Sequence, residues 1–313
     1  MKTKIRKNAD RILLFTVPVL TFLFLCGIVY IPFMNQIGYF YDSTVIRTYV
    51  ESCTGQGADR KNSTPSQSES SLLPDNDINT ELLRARRYNR EIESRQKCEP
   101  FYYRGSINEP QEYHSLLAGP GGVMCILEIP SINLYLPVGH GTSDEVLEKM
   151  AGHVCGTSLP VGGRSANAVI AAHSGRPSSR LFTDLGQMTS GDKIYVHVGN
   201  EILTYMVCSD SDIYVVLPYD GLPEHAASYG YDAPYFQIVP GEDILTLYTC
   251  TPVGINSHRL IVRARRIATD EEMVDGHRDI TVPRNLNVLF LLCSYALIPF
   301  FGSVLMYRWI KHT

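Results

Sequence analysis

The stretch Ile244-Leu-Thr-Leu-Tyr-Thr-Cys250, followed by Thr251-Pro252 and then by Arg259-Leu-Ile-Val262, decides how this chain is read. Residues 244–250 have the alternation of a strand, and their β-branched and aromatic content suits a pleated surface. The Thr-Pro dipeptide ends that strand, and a second run, 259–267, opens with Arg259 nine residues after Cys250. A thiol is thus delivered to a rigid strand end, beside a strand that begins with a guanidinium. Such surroundings favour a reactive thiolate.

Upstream the same grammar recurs. Residues 124–129 and 134–138 are predicted strands, 144–151 a short helix after Ser143, and 167–173 a strand ending in His173. Residues 178–188 read as a helical turn, and 193–198 with 202–207 as a hairpin about Gly199-Asn200. Many short strands with few helices predict a mainly β protein, a closed or nearly closed barrel over 123–270. Residues 79–122 form an N-terminal appendage in which 79–96, with Leu82, Leu83, Ala85 and Ile92 among many charges, reads as a solvated helix capped by Asn79 or Thr80. Residues 218–239 are long for a connection and read either as a substrate-facing loop or as a packed excursion.

The ends of the chain have a different character. Residues 12–34 and 288–307 carry no charged side chain, and the first run makes roughly 34 Å of helix at ~1.5 Å per residue, enough to cross a bilayer. Lys2, Lys4, Arg6, Lys7 and Arg11 precede the first span, and Arg308 and Lys311 follow the second, so both termini (1–11 and 308–313) are predicted to be cytoplasmic. The first span lacks a small-x-small cleavage pattern and reads as an uncleaved anchor. Linkers at 35–78, polar from 55 to 71, and at 271–287 join the spans to the outward-facing part of the chain.

The 313 residues, 44% hydrophobic and 10% aromatic, suffice for a core without disulfide staples. The net charge of −4, with both signs interspersed, leaves no basic footprint for nucleic acid. Cys53, Cys98, Cys125, Cys155, Cys208 and Cys250 lie between the spans in no zinc-binding spacing, so no metal site is predicted. Cys125, Cys155 and Cys208 read as buried thiols, and whether Cys53 pairs with Cys98 is left open by sequence.

A thiol nucleophile needs a partner to move protons, and His173 at a strand end is the candidate. Alternation puts Val169, Ala171 and His173 on one face, and Thr246, Tyr248 and Cys250 on one face of the later strand. The oxyanion of an attacked carbonyl needs a donor that keeps its proton, which Arg259 supplies. Arg263 and Arg265 share its face and read as solvated strand charges.

The chain resembles a known family, the sortases of class C, the pilin-polymerising type. The segments that carry the resemblance are Ile129-Pro-Ser-Ile132, Leu136-Pro-Val138, His140-Gly-Thr-Ser143, Gly152-His153, Gly156-Thr-Ser-Leu-Pro-Val-Gly-Gly163, Leu181-Phe-Thr-Asp-Leu185, Gly191-Asp192, Thr246-Leu-Tyr-Thr-Cys-Thr-Pro252 and Asn256-Ser-His-Arg-Leu-Ile-Val262. They run in order over 125–267. The resemblance implies an eight-stranded barrel and a site of Cys250 (nucleophile), His173 (acid and base) and Arg259 (oxyanion and substrate stabilisation). It implies attack on the Thr-Gly bond of an LPXTG-like sorting signal, a thioacyl intermediate, and transfer to a lysine of another pilin subunit. Neither metal nor organic cofactor is implied.

Two features depart from the family pattern. Ala172-His-Ser-Gly175 stands where Gly-His-Arg-Gly is usual, and Glu99-Pro100-Phe101 resembles the class C lid with Glu in place of Asp. As an E-P-F tripeptide the latter also suits a helix-ending turn. An alternative enzyme reading is a sortase that joins surface proteins to the peptidoglycan precursor. A papain-like protease is disfavoured because its cysteine precedes its histidine. A receptor or scaffold would not need an electropositive setting for Cys250.

Overall fold

Strand β1 (Val123–Ile129) turns through Pro130–Ile132 into β2 (Leu134–His140), the two pairing antiparallel from Ile129↔Leu134 outward. Pro137 sits inside β2, where a missing N–H would normally break a ladder. It is tolerated because the second neighbour of β2, β3 (Ala151–His153), joins only from Val138 onward. That pairing is parallel and needs a crossover, which helix α4 (Asp144–Leu147) supplies, with the Ser143 hydroxyl accepting from Val146 N. The predicted helix over 144–151 is therefore shorter, because 151–153 are spent on a strand that three residues are too few to announce.

Strand β4 (Ala166–Ala171) pairs antiparallel with β3 and parallel with β8 (Asp243–Thr251). Between them lie the hairpin β5 (Lys193–Val198) and β6 (Glu201–Met206), whose two-residue turn carries Gly199 at φ 56°, and the short β7 (Ile213–Val216). Strand β9 (His258–Arg266) follows β8 antiparallel. The order β6-β5-β1-β2-β3-β4-β8-β9 closes through Tyr205↔Arg266 and Met206↔Arg265, giving a barrel of eight strands. A ninth strand, β7, lies on β9 from Ile213↔Val262 to Val216↔Arg259 and was not foreseen.

The computed structural model describes residues 44–53, 75–98, 109–176, 181–216 and 233–268, all of which belong to one compact unit. The spans predicted at 12–34 and 288–307, the polar stretch 55–71, the segment Glu99-Pro100-Phe101 and residues 217–232 lie outside them. Among the described residues no helix is long and apolar enough to cross a membrane.

Helix α1 covers residues 44–53 and α2 Asp75–Cys98. The solvated reading of α2 is corrected: Ile78, Leu82, Ala85, Tyr88 and Ile92 are buried in the main core, while Leu83 is 64% exposed. Their spacing of three and four residues makes one apolar stripe, and Tyr88 completes it. Asn89 locks the helix to the barrel by donating to Leu159 O at 3.0 Å and accepting from Leu159 N at 2.7 Å. Tyr49 of α1 likewise donates to Met124 O and accepts from Gly199 N.

Helix α3 (Gln111–Ser115) carries the buried Tyr113, whose hydroxyl lies 2.9 Å from His153 Nδ1. With His153 Nε2 at 2.8 Å from Ser158 O, the ring is a neutral bridge: Nε2–H donates to the carbonyl and Nδ1 accepts from the tyrosine. Burial lowers its pKa from the ordinary 6.5 to about 4, the Ser158 carbonyl opposing the shift. Above pH 6.5 the ring is neutral whether folded or unfolded, so this contribution to stability is fully present. As pH falls toward 4 only the unfolded chain takes up the proton, and stability is lost. At about 1.36 kcal/mol per unit, the loss by pH 4 is about 3 kcal/mol. Urea unfolding of wild type and His153→Gln at pH 7 and 4.5 is expected to show the variant less pH-dependent by about 2–3 kcal/mol. Equal pH dependences would contradict this assignment of the charge.

Candidate active site

Three adjacent strands end together. On β8 the side chains of Leu245 and Leu247 enter the core, which turns Thr246, Tyr248 and Cys250 to the outer face. On β9 Leu260, Val262 and Ala264 face the core, leaving Arg259, Ile261 and Arg263 outside. On β4 Ala168 and Ile170 are core residues, whereas Val169 and Ala171 pack outward with Val154, Phe236 and Tyr248.

Register then aligns the ends. Cys250 is the direct cross-strand partner of Arg259. Parallel pairing of β4 and β8 runs from Ala166↔Asp243 to Ala171↔Tyr248, a register that, continued two positions further, would set His173 level with Cys250. The regular strand stops at Ala171, two residues short of the predicted end. Side chains and single backbone contacts hold the chain beyond it. Ala172 N donates to Tyr248 O at 3.1 Å, the Thr249 hydroxyl to Ala172 O at 2.7 Å, and the Ser174 hydroxyl to Cys250 O at 2.5 Å. Phe182 N donates to His173 O at 3.0 Å, and Gly175 N to Thr183 Oγ1 at 2.9 Å. Gly175 has φ 72°, and a Cβ there would lie 2.5 Å from Val253 Cγ1, so the loop closes against the β8–β9 turn only with glycine.

The three groups have distinct surroundings. His173 Nε2 is buried without a hydrogen-bond partner among the described residues. Burial, with the nearby Arg176 guanidinium, holds its pKa below 6.5, although Asp144 and Glu148 pull the other way. The imidazole is therefore mainly neutral at pH 7 and able to accept a proton. Arg259 Nη1 donates to Asn256 O at 3.0 Å and His258 O at 3.2 Å, which fixes the guanidinium over the turn that links the two strands. Cys250 is half-buried at the strand end and carries a free thiol, as do Cys53, Cys125, Cys155 and Cys208. Cys125 is buried as expected, Cys155 is half-buried, and Cys208 is exposed because it follows β6 rather than lying in a strand.

The solvated reading holds for Arg265, whose side chain is 40% exposed and ion-paired with Asp212 at 2.8 Å and Glu242 at 3.0 Å, and is corrected for Arg263. Arg263, opposite Thr246, has Nε and one terminal nitrogen buried without a hydrogen-bond partner among the described residues. Of the 218–239 stretch, the described part is packed: helix α5 (Ala233–Phe236) buries Phe236 against Tyr248, and Tyr235 O and Gln237 O accept from Asn167 Nδ2 at 2.9 Å each. A cavity of about 610 Å³, lined by Arg86, Arg90, Glu93, Gly163, Arg164 and Gly241 among others, lies at the opposite ends of β4 and β8, away from Cys250. Sequence reasoning noted Ser174 as a departure from the family pattern without giving it a role, and did not single out Thr249 or Arg176. The unusual serine after His173 was the available signal.

Comparison with known proteins agrees with this architecture. The sortase domain family model matches residues 127–267. Sortase C1 from Streptococcus agalactiae is 39% identical, with 63% of this chain and 93% of that chain covered at a TM-score of 0.54. A pilus-related sortase C of Group B Streptococcus is 36% identical over 63% of this chain and 92% of that one, with a TM-score of 0.51. The curated relative Sortase A of Bacillus anthracis is 27% identical over 143 residues, 46% of this chain, and the chain spans 59% of that protein's length. On these identities and coverages, the chain belongs to the sortase family.

Proposed function

We propose that the chain is a membrane-anchored cysteine transpeptidase that joins pilin subunits, with Cys250, His173 and Arg259 as its reacting centre. The observation that carries this reading is register: the thiol faces the guanidinium across β8–β9 and lies level with the imidazole that follows β4. Likeness to sortase C1 and to a pilus-related sortase C supports the choice of substrate.

The chemistry follows from those positions. Cys250 gives its proton to the neutral His173 and its sulfur attacks the threonine carbonyl of an LPXTG-like sorting signal. Arg259 donates to the developing oxyanion, whose collapse breaks the Thr-Gly C–N bond while the imidazolium protonates the departing glycine amine. A lysine amine of another pilin then attacks the thioester. Its nitrogen forms the isopeptide bond, the C–S bond breaks, and the released proton returns through His173 to the thiolate. Spans at 12–34 and 288–307 would hold the barrel outside the membrane with both termini in the cytoplasm.

In a second reading with the same chemistry at Cys250, an amine of the peptidoglycan precursor takes the acyl group; the chain's likeness to a protein named Sortase A, not only to class C proteins, keeps it in view. Co-expression with a pilin bearing a sorting signal separates them. High-molecular-weight ladders on denaturing gels are expected from polymerisation. Pilin found only as wall-linked monomer would favour the second reading.

A further inference from the structure

We infer that Ser174 is a positioning residue, which holds the His173 imidazole level with the Cys250 thiol; this rests on those two residues being the reacting pair. The β4–β8 ladder ends at Ala171↔Tyr248, so His173 sits where backbone pairing no longer dictates its distance from the nucleophile. Two hydroxyls take over from the ladder. Thr249 clips Ala172 O from the core side at 2.7 Å, and Ser174 clips Cys250 O from the other side at 2.5 Å. The histidine is bracketed between them.

The remaining contacts of the loop run elsewhere. Phe182 N to His173 O and Gly175 N to Thr183 Oγ1 tie it to residues 182–183, a different part of the chain from the nucleophile strand. Among the described residues, Ser174 is the side chain after His173 whose hydrogen bond reaches β8, and it does so at the nucleophile's own carbonyl. Without it the segment after His173 keeps its ties to residues 182–183 but loses its side-chain tie to the nucleophile strand. Misplacing reacting groups by about 1 Å costs on the order of a hundredfold in rate. Loss of this clip is therefore expected to lower kcat by about ten- to a hundredfold, with KM within about twofold, because the hydroxyl is engaged with the Cys250 carbonyl.

The test uses the full chain as wild type, Ser174→Ala, Ser174→Thr, His173→Ala and Cys250→Ala. Transfer of an LPXTG-like peptide to hydroxylamine gives kcat and KM. Alkylation by iodoacetamide across pH, read at Cys250 by peptide mass spectrometry with the exposed Cys208 as internal reference, reports thiol–imidazole coupling. Ser174→Ala should show the kcat loss and move the Cys250 alkylation midpoint toward that of His173→Ala while Cys208 stays put. Ser174→Thr, which keeps the hydroxyl, should restore both. Wild-type kcat and midpoint in Ser174→Ala beside an inactive Cys250→Ala overturn the positioning role alone, as does a loss that threonine does not restore. Full activity in Cys250→Ala overturns the reading of the pair and this role with it.

Discussion

Cys250→Ala is expected to reduce cleavage and transfer of an LPXTG-like peptide by at least about 10⁴-fold, with the thermal midpoint unchanged within about 2 °C. The size follows from the proposed chemistry, in which the sulfur makes and breaks the bonds and alanine would leave only binding and oxyanion stabilisation, which alone retain a small residue of catalysis. The unchanged stability follows from position. Cys250 is half-buried at the end of β8, outside the buried clusters, and substitutions at such places usually fall within about 0.5 kcal/mol. Peptide cleavage followed by chromatography, with calorimetry on the same sample, checks both. A large activity loss accompanied by a collapsed midpoint would mean that the thiol is structural.

Arg259→Ala is expected to cost about 10²- to 10³-fold in kcat, the usual consequence of removing one oxyanion donor, the role proposed for Arg259. Arg259→Lys should fall between wild type and alanine. Lysine keeps the charge, but it lacks the planar guanidinium fork with which Arg259 holds Asn256 O and His258 O. Steady-state kinetics of the two variants decide it. A rise in KM with kcat unmoved would assign Arg259 to ground-state binding instead. Lysine equal to wild type would show that charge alone suffices.

Much of this was legible in the sequence because alternation and strand ends are local properties. The faces of 167–173 and 244–250 followed from period 2, and Thr251-Pro252 marked where the thiol strand stops. Register was not legible. That Cys250 lies opposite Arg259 and level with His173 depends on how β8 pairs on both sides, which no single segment encodes.

The misses have the same origin. β3 and β7 have three and four residues, too few to show a period, and exist because β2 and β9 offer them edges. The solvated reading of α2 missed Tyr88 and so missed its buried stripe. Arg263 read as a solvated charge because its burial depends on the neighbours of β9, which its own segment does not encode.

The most direct measurement is capture of the intermediate. The full chain is quenched in acid during turnover of an LPXTG-like peptide and mapped by mass spectrometry. The prediction is an adduct on Cys250 with the mass of the peptide up to and including its threonine, lost on treatment with hydroxylamine. An adduct on another residue, or continued turnover with Cys250 unmodified throughout, would contradict it.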